Sequence, residues 1–159
     1  MKLYLLQHGA AVAKDIDPER PLSKQGNHDV AAIAGILRHA GIRIDRIWHS
    51  GKRRAEQTAA ILARAVAPAG IVEPIDGINP NDSVVAFAED ADVWDQDTLV
   101  VGHLPFMARL VSLLTTGNQD SDIVSYSPGS IVCVERRASN WTLCWMLSPG
   151  LFADRSDTA

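Results

Sequence analysis

The chain has 159 residues and a mass of 17.2 kDa, with 47% hydrophobic and 21% charged residues. This is enough apolar material for one domain with a core of its own, and it excludes a disordered chain or a disulfide-built miniprotein. The formal net charge of −4 argues against non-specific binding to nucleic acid or to anionic membranes, although it leaves room for a local cationic pocket.

Leu3 to Leu6 form a short apolar run that suits a strand covered on both faces. The run is too short for a signal peptide or a membrane span, so a soluble, cytoplasmic protein is expected. Gln7-His8-Gly9 fall where the strand ends, and Ala10 to Pro21 read as a loop. Ser23 is the expected cap of a first helix whose buried face carries Val30, Ile33, Ala34 and Leu37, with Gly41 as terminator. Gly26 in its first turn calls for a close backbone approach. Ile44 to His49 form the second strand, and Ser50-Gly51 open a second helix. That helix buries Ala55, Ala59, Leu62 and Val66 and ends at Pro68-Ala69-Gly70. A third strand over Ile71 to Ile75, a turn-rich loop over Asp76 to Asp82 and a short helix from Ser83 to about Glu89 follow.

Asp97 to Gly102 form a fourth strand, and His103 stands directly behind it. Pro105 fits the first turn of a helix that packs Met107, Leu110, Val111 and Leu114 inward. After a polar loop, Gly117 to Gly129, the runs Ile131 to Glu135 and Trp141 to Leu147 make a hairpin. The tail from about Phe152 is expected to be loose. Strands alternating with helices, closed by a hairpin, give a three-layer α/β/α sandwich with a mostly parallel, mixed sheet in a single domain spanning 1–159.

Open α/β sheets place their ligands outside the carboxyl ends of the strands, where His8, His103 and the segment His49-Ser50-Gly51-Lys52-Arg53-Arg54 are expected. Two imidazoles beside clustered cations suit an anion such as a phosphoryl group. A neutral imidazole attacks phosphorus through one ring nitrogen while a hydrogen bond at the other fixes its tautomer. Cationic donors then stabilise the transferring oxygens. The plainer alternative is two structural histidines at loop starts beside a solvated charge run.

The motifs themselves are more specific. Gln7-His8-Gly9, Arg20-Pro21-Leu22 with Gly26, Ser50 through Arg54-Ala55-Glu56-Gln57-Thr58, Gly102-His103-Leu104-Pro105 and Met146-Leu147-Ser148-Pro149 occur in order along almost the whole chain. In this the chain resembles the histidine phosphatase superfamily, with its phosphoglycerate mutase-like fold, and its short SixA-type phosphohistidine phosphatases in particular. The resemblance implies that His8 is the nucleophile that becomes phosphorylated, that Arg54 clamps the phosphoryl oxygens and that His103 is the second pocket histidine. It implies that Gly9 lets the backbone pass close to the phosphate, that Ser50 supports the loop and that Arg20 binds at the rim.

Gln7 departs from the pattern, because the family carries an arginine there. An amide keeps a donor but loses the charge and the guanidinium fork. Loss of one aimed donor can cost roughly 3–4 kcal/mol, on the order of 10²–10³ in rate, so weakened activity is expected, with Lys52 or Arg53 as compensating substrate-binding groups. Asp82 is the candidate general acid.

The implied partner is a phosphohistidine-bearing protein. A small phosphate ester, or phosphate binding without turnover, is the alternative. Neither a cofactor nor a metal is expected, since the five histidines and two cysteines show no zinc spacing. Among the remaining residues, Cys133 and Cys144 are expected to be buried strand thiols. His28 and His39 are expected at the surface, and Glu56 at the surface or in a salt bridge. Strand parity puts Trp141 and Trp145 on one sheet face, and Trp48 and Trp94 are open as surface contacts.

Overall fold

In a computed structural model describing residues 1–152, one six-stranded sheet carries helices on both faces. The elements are β1 (Lys2–Gln7), α1 (Lys24–His39), β2 (Arg46–His49), α2 (Arg53–Val66), β3 (Ile71–Pro74) and α3 (Val84–Ala91). They are followed by β4 (Thr98–Gly102), α4 (Phe106–Thr116), β5 (Ile131–Arg137), β6 (Asn140–Leu147) and a 3₁₀ turn over Pro149–Leu151. The strand order is β3-β2-β4-β1-β5-β6. The first four strands run parallel, and β5 and β6 complete a mixed sheet. This is the α/β sandwich expected from the sequence. Apart from Phe152, the tail expected to be loose lies outside the described residues.

The central strands β1 and β4 alternate their apolar side chains between two cores. Tyr4, Leu6, Leu99 and Val101 pack against Val30, Ile33, Leu37, Ala59 and Leu62 of α1 and α2. Leu3, Leu5 and Val100 pack against Val84, Phe87, Met107 and Leu110 of α3 and α4. Burial on both faces explains why these strands read as unbroken apolar runs.

The helix signals act largely as read. Ser23 Oγ accepts from the Gly26 amide at 3.0 Å, Ser83 Oγ accepts from the Ala86 amide at 3.3 Å, and Gly41 has φ +72°. A Cβ on Gly26 would lie 2.0 Å from the Ala10 carbonyl oxygen, which is the close approach that excludes any side chain there. His28 and His39 are exposed, as is Glu56.

Several expectations are corrected. Helix α2 begins at Arg53 rather than at Ser50, because Gly51 takes φ +77° and turns the chain away from helix before Lys52. β2 is shorter than expected, and β3 is an exposed edge strand. Leu114 is only half-buried. Cys133 is buried as expected, but Cys144 is exposed. Trp141 and Trp145 lie on opposite faces: Trp141 packs with the α3/α4 core and Trp145 with the α1/α2 core. The cause is a β-bulge. Leu143 pairs with Val134 and Trp145 with Cys133, so Cys144 is the extra residue and the alternation slips by one. Trp48 and Trp94 stack edge to face at 4.8 Å between centroids, with the Arg46 guanidinium 4.2 Å from the Trp48 ring centroid.

Candidate active site

The sheet itself brings the two histidines together. Gln7 is in register with Gly102 across the parallel β1–β4 pair, so the next residue on each strand, His8 and His103, emerges side by side. Their ring centroids lie 4.9 Å apart, tilted by 55°. The His8 amide donates to the Gly102 carbonyl at 3.0 Å, and on the other side the Gly129 amide donates to the carbonyls of Gln7 and His8 at 3.1 and 3.2 Å. Gln7 donates its own amide to Ser130 O, and Ser130 Oγ meets Ser148 Oγ at 2.8 Å. The closing Ser148-Pro149 segment therefore braces the backbone at His8.

His8 has a defined tautomer. Its Nδ1 lies 2.7 Å from the Gly9 carbonyl. A carbonyl can only accept, so Nδ1 carries the proton and donates it. Nε2 keeps its lone pair and accepts from Arg54 Nε at 3.1 Å. Burial, with the nearby guanidinium groups of Arg54 and Arg20 adding to it against the Gly9 hydrogen bond, pushes the His8 pKa down to about 4. His103 is 2% exposed, and its Nε2 lies 2.6 Å from Ser50 Oγ. Burial, His8 and the cations Arg54, Lys52 and Arg20 push it down to about 3. Both rings are neutral at pH 7.

A cleft of 460 Å³ opens here, lined by Gln7, His8, Ala10, Ala11, Arg20, Arg54, Pro80, His103, Leu104 and Pro128. Arg20 is held at φ +49° and donates from Nε to the Val12 carbonyl at 3.3 Å. Arg54 comes from the first turn of α2. Burial of its guanidinium, together with the nearby Arg20, lowers its pKa.

Other expected site residues lie elsewhere. Gly9 does not line the cleft, and it is needed for close contact with α1: an added Cβ would stand 2.7 Å from Val30 Cγ2 and 3.1 Å from the Gly26 carbonyl oxygen. Lys52 and Arg53 line a neighbouring groove instead of the cleft. Arg53 pairs with Glu19 at 3.5 Å in that groove. Asp82 closes its own loop, its Oδ2 accepting from the Asn79 amide at 2.7 Å. It does not line the cleft, where Pro80 stands instead, and among the described residues no carboxylate lines it. Gln7 is 9% exposed, and its Oε1 has no hydrogen-bond partner among the described residues. Among those residues no cluster of His, Cys, Asp and Glu could hold a metal ion.

Sequence reading assigned no role to Gln57 and Thr58, although both lie in a quoted motif. Thr58 Oγ1 accepts from the Gly9 amide at 3.1 Å and donates to the Arg54 carbonyl at 2.7 Å. Gln57 Oε1 accepts from the Leu22 amide at 2.7 Å. These bonds tie the His8 turn and the Arg20 loop to the helix that carries Arg54. His49 Nδ1 accepts from the Gly51 amide at 3.2 Å and helps to shape the turn before Arg54.

Two neutral imidazoles and two guanidinium groups at the carboxyl edge of an α/β sheet form a site suited to a phosphoryl group. Comparisons agree with this class. Residues 3–76 match the family described as "Histidine phosphatase superfamily (branch 1)". An uncharacterized protein of Picosynechococcus sp. is 31% identical over 125 residues, covering 74% of each chain. Phosphohistidine phosphatase SixA of Escherichia coli is 25% identical over 154 residues, covering 94% of each. A solved structure of the protein histidine phosphatase SixA complexed with tungstate superposes with a TM-score of 0.83 at 24% identity, covering 96% of this chain and 99% of that one. The chain belongs to the histidine phosphatase superfamily.

Proposed function

We propose that the protein is a phosphohistidine phosphatase that acts on a phosphoprotein through a covalent phosphohistidine on His8. The observation that carries this reading is the His8 tautomer: Nδ1–H is committed to the Gly9 carbonyl, and Nε2 presents a lone pair in a cleft walled by Arg54 and Arg20. In the first step the Nε2 lone pair forms a bond to phosphorus while the bond to the donor ring nitrogen breaks, and the donor ring, protonated at its other nitrogen, leaves as neutral imidazole. The Nε2 hydrogen bond to Arg54 gives way, and the guanidinium turns its donors to the phosphoryl oxygens. In the second step water attacks phosphorus, the His8–phosphorus bond breaks, and His8 returns with inorganic phosphate. His103, held by Ser50, stands beside His8 as a second donor to the phosphoryl group.

The absence of a carboxylate in the cleft, among the described residues, favours a phosphoramidate donor over a phosphate ester. An alkoxide leaving group requires protonation by a positioned acid, whereas an imidazole leaves more readily. The named relatives, a phosphohistidine phosphatase and a protein histidine phosphatase with bound tungstate, support the same choice.

The test is rapid quench into alkaline denaturant, where phosphohistidine survives, after mixing with a phosphohistidine peptide or an aryl phosphate. Label should appear on His8, faster from the peptide, and be lost in His8→Ala. Normal phosphate binding without label from any donor would replace this reading by a binding protein.

A further inference from the structure

Beside the cleft lies a groove of 400 Å³, lined by Pro18, Glu19, Gly51, Lys52, Arg53, Arg54 and Glu56. Arg54 lines both, so the groove adjoins the cleft at this guanidinium. We propose that this groove is a second anion subsite that takes an acidic side chain flanking the phosphorylated histidine of the substrate protein. The proposal deepens the phosphoprotein reading above and rests on it.

Charge supports it. The chain carries 15 Lys and Arg against 19 Asp and Glu, yet Lys52, Arg53 and Arg54 converge on this groove, with Arg20 in the adjoining cleft. Glu19 and Glu56 also line it, leaving the wall with three cations against two carboxylates. Only one of these pairings is a salt bridge among the described residues: Arg53 to Glu19 at 3.5 Å, with the two side chains 54% and 69% exposed. An ion pair so open to water holds weakly, and an incoming carboxylate replaces Glu19 at small cost. Lys52 forms no salt bridge among the described residues, and its charge is felt at His103. The groove thus offers one unengaged ammonium and one guanidinium on a weak tether.

Position supports it as well. A phosphoryl group beside His8, Arg54 and Arg20 lies in the cleft and leaves the groove free. An extended peptide advances about 3.3 Å per residue, so a side chain within two residues of the phosphohistidine reaches across Arg54. Lys52 and Arg53, which line the groove and not the cleft, are placed to read that neighbour.

The experiment uses the full chain and three phosphohistidine peptides that differ only by Asp, Ala or Lys beside the phosphohistidine. kcat/KM is measured for each. Affinity is measured in parallel by fluorescence anisotropy with the same peptides carrying a non-hydrolysable phosphonate analogue. The unaltered protein should prefer Asp over Ala by about fivefold, through KM and affinity rather than kcat. Lys52→Ala/Arg53→Ala should shrink that ratio below about twofold. Lys52→Glu should invert the order so that the Lys peptide binds better than the Asp peptide, a gain that misfolding cannot produce. Equal handling of all three peptides by the unaltered protein, or a double variant that weakens them in proportion and keeps the ratio, overturns the proposal. If no peptide is turned over and His8 takes no label, the phosphatase reading fails, and the anisotropy ratios still decide the subsite.

Discussion

The tautomer and the charge state of His8 are set by different neighbours. The Gly9 carbonyl fixes which nitrogen bears the proton, while burial and the guanidinium groups of Arg54 and Arg20 keep a second proton off. The proposed nucleophile is therefore available well into acid. His8 labelling in single-turnover experiments, corrected for spontaneous loss of the donor and for the donor's own ionisation, should stay nearly flat from pH 8 to pH 5 and fall with a midpoint near 4. A midpoint at the ordinary histidine value of about 6.5 would show that the ring is not shielded. Stability follows with a definite sign. The folded pKa values, about 4 for His8 and about 3 for His103, lie below the unfolded value. As pH falls, the unfolded chain takes up protons first. This contribution is fully present above about 6.5 and is lost progressively as pH drops through the folded values, which urea titrations at several pH values will read out. Gln7 gives a third measurement. Its side-chain oxygen Oε1 is buried without a partner among the described residues, an unsatisfied acceptor that costs about 1–3 kcal/mol. Gln7→Leu should raise the unfolding free energy read from urea titrations by roughly 1 kcal/mol while slowing labelling. Gln7→Arg should speed labelling by up to about 10² if its guanidinium reaches the phosphoryl oxygens. A variant slower than the natural protein would show that the amide is adapted to this cleft.

At the level of elements, the site is a set of turns pinned to α2. Thr58 holds the turn at Gly9, Gln57 holds the loop at Leu22, and Arg54 projects from the same helix. Thr58→Ala leaves the Gly9 amide unpaired in a buried place. It should cost about 1–3 kcal/mol of stability and lower the labelling rate without changing its pH midpoint, whereas a purely structural loss would leave the rate per folded molecule untouched. Gly26→Ala is expected to be more damaging, since its Cβ would enter the Ala10 backbone. A loss of at least about 2 kcal/mol in urea is expected, together with displacement of the His8 turn. The sequence shows such features unevenly. Ser23, Gly26 and Gly41 act locally, through a cap, a contact and a positive φ, and local signals are readable along one chain. The bulge at Cys144 is not of that kind. It exists only in the pairing of β6 with β5, so parity counted along β6 alone puts Trp145 on the wrong face. The same holds for Asp82. Its place in a turn is legible, but its bond to the Asn79 amide, which holds the carboxylate to its own loop, is not.

Across the whole molecule, parallel pairing of β1 with β4 makes a site from residues 95 positions apart, placing His8 and His103 at equal height on neighbouring strands. That each histidine stands at a strand exit is legible, because each follows an apolar run. That the two strands are neighbours is not, because α1, β2, α2, β3 and α3 intervene in the chain. The same convergence gathers Arg20, Arg54, Lys52 and Arg53 along two adjoining clefts of a chain whose net charge is −4. A phosphorylated donor therefore meets an attractive field at this edge and a repulsive average elsewhere. Such a field acts on encounter and weakens with screening, whose length is about 10 Å at 0.1 M salt. Raising salt from about 50 to about 200 mM should lower kcat/KM for His8 labelling by a few-fold, mainly through KM. The rate at saturating donor should hold, since the contacts of the bound phosphoryl group are shielded from bulk ions. Labelling that is indifferent to salt at subsaturating donor would mean that the cations act only on contact and that the field does not gather substrate.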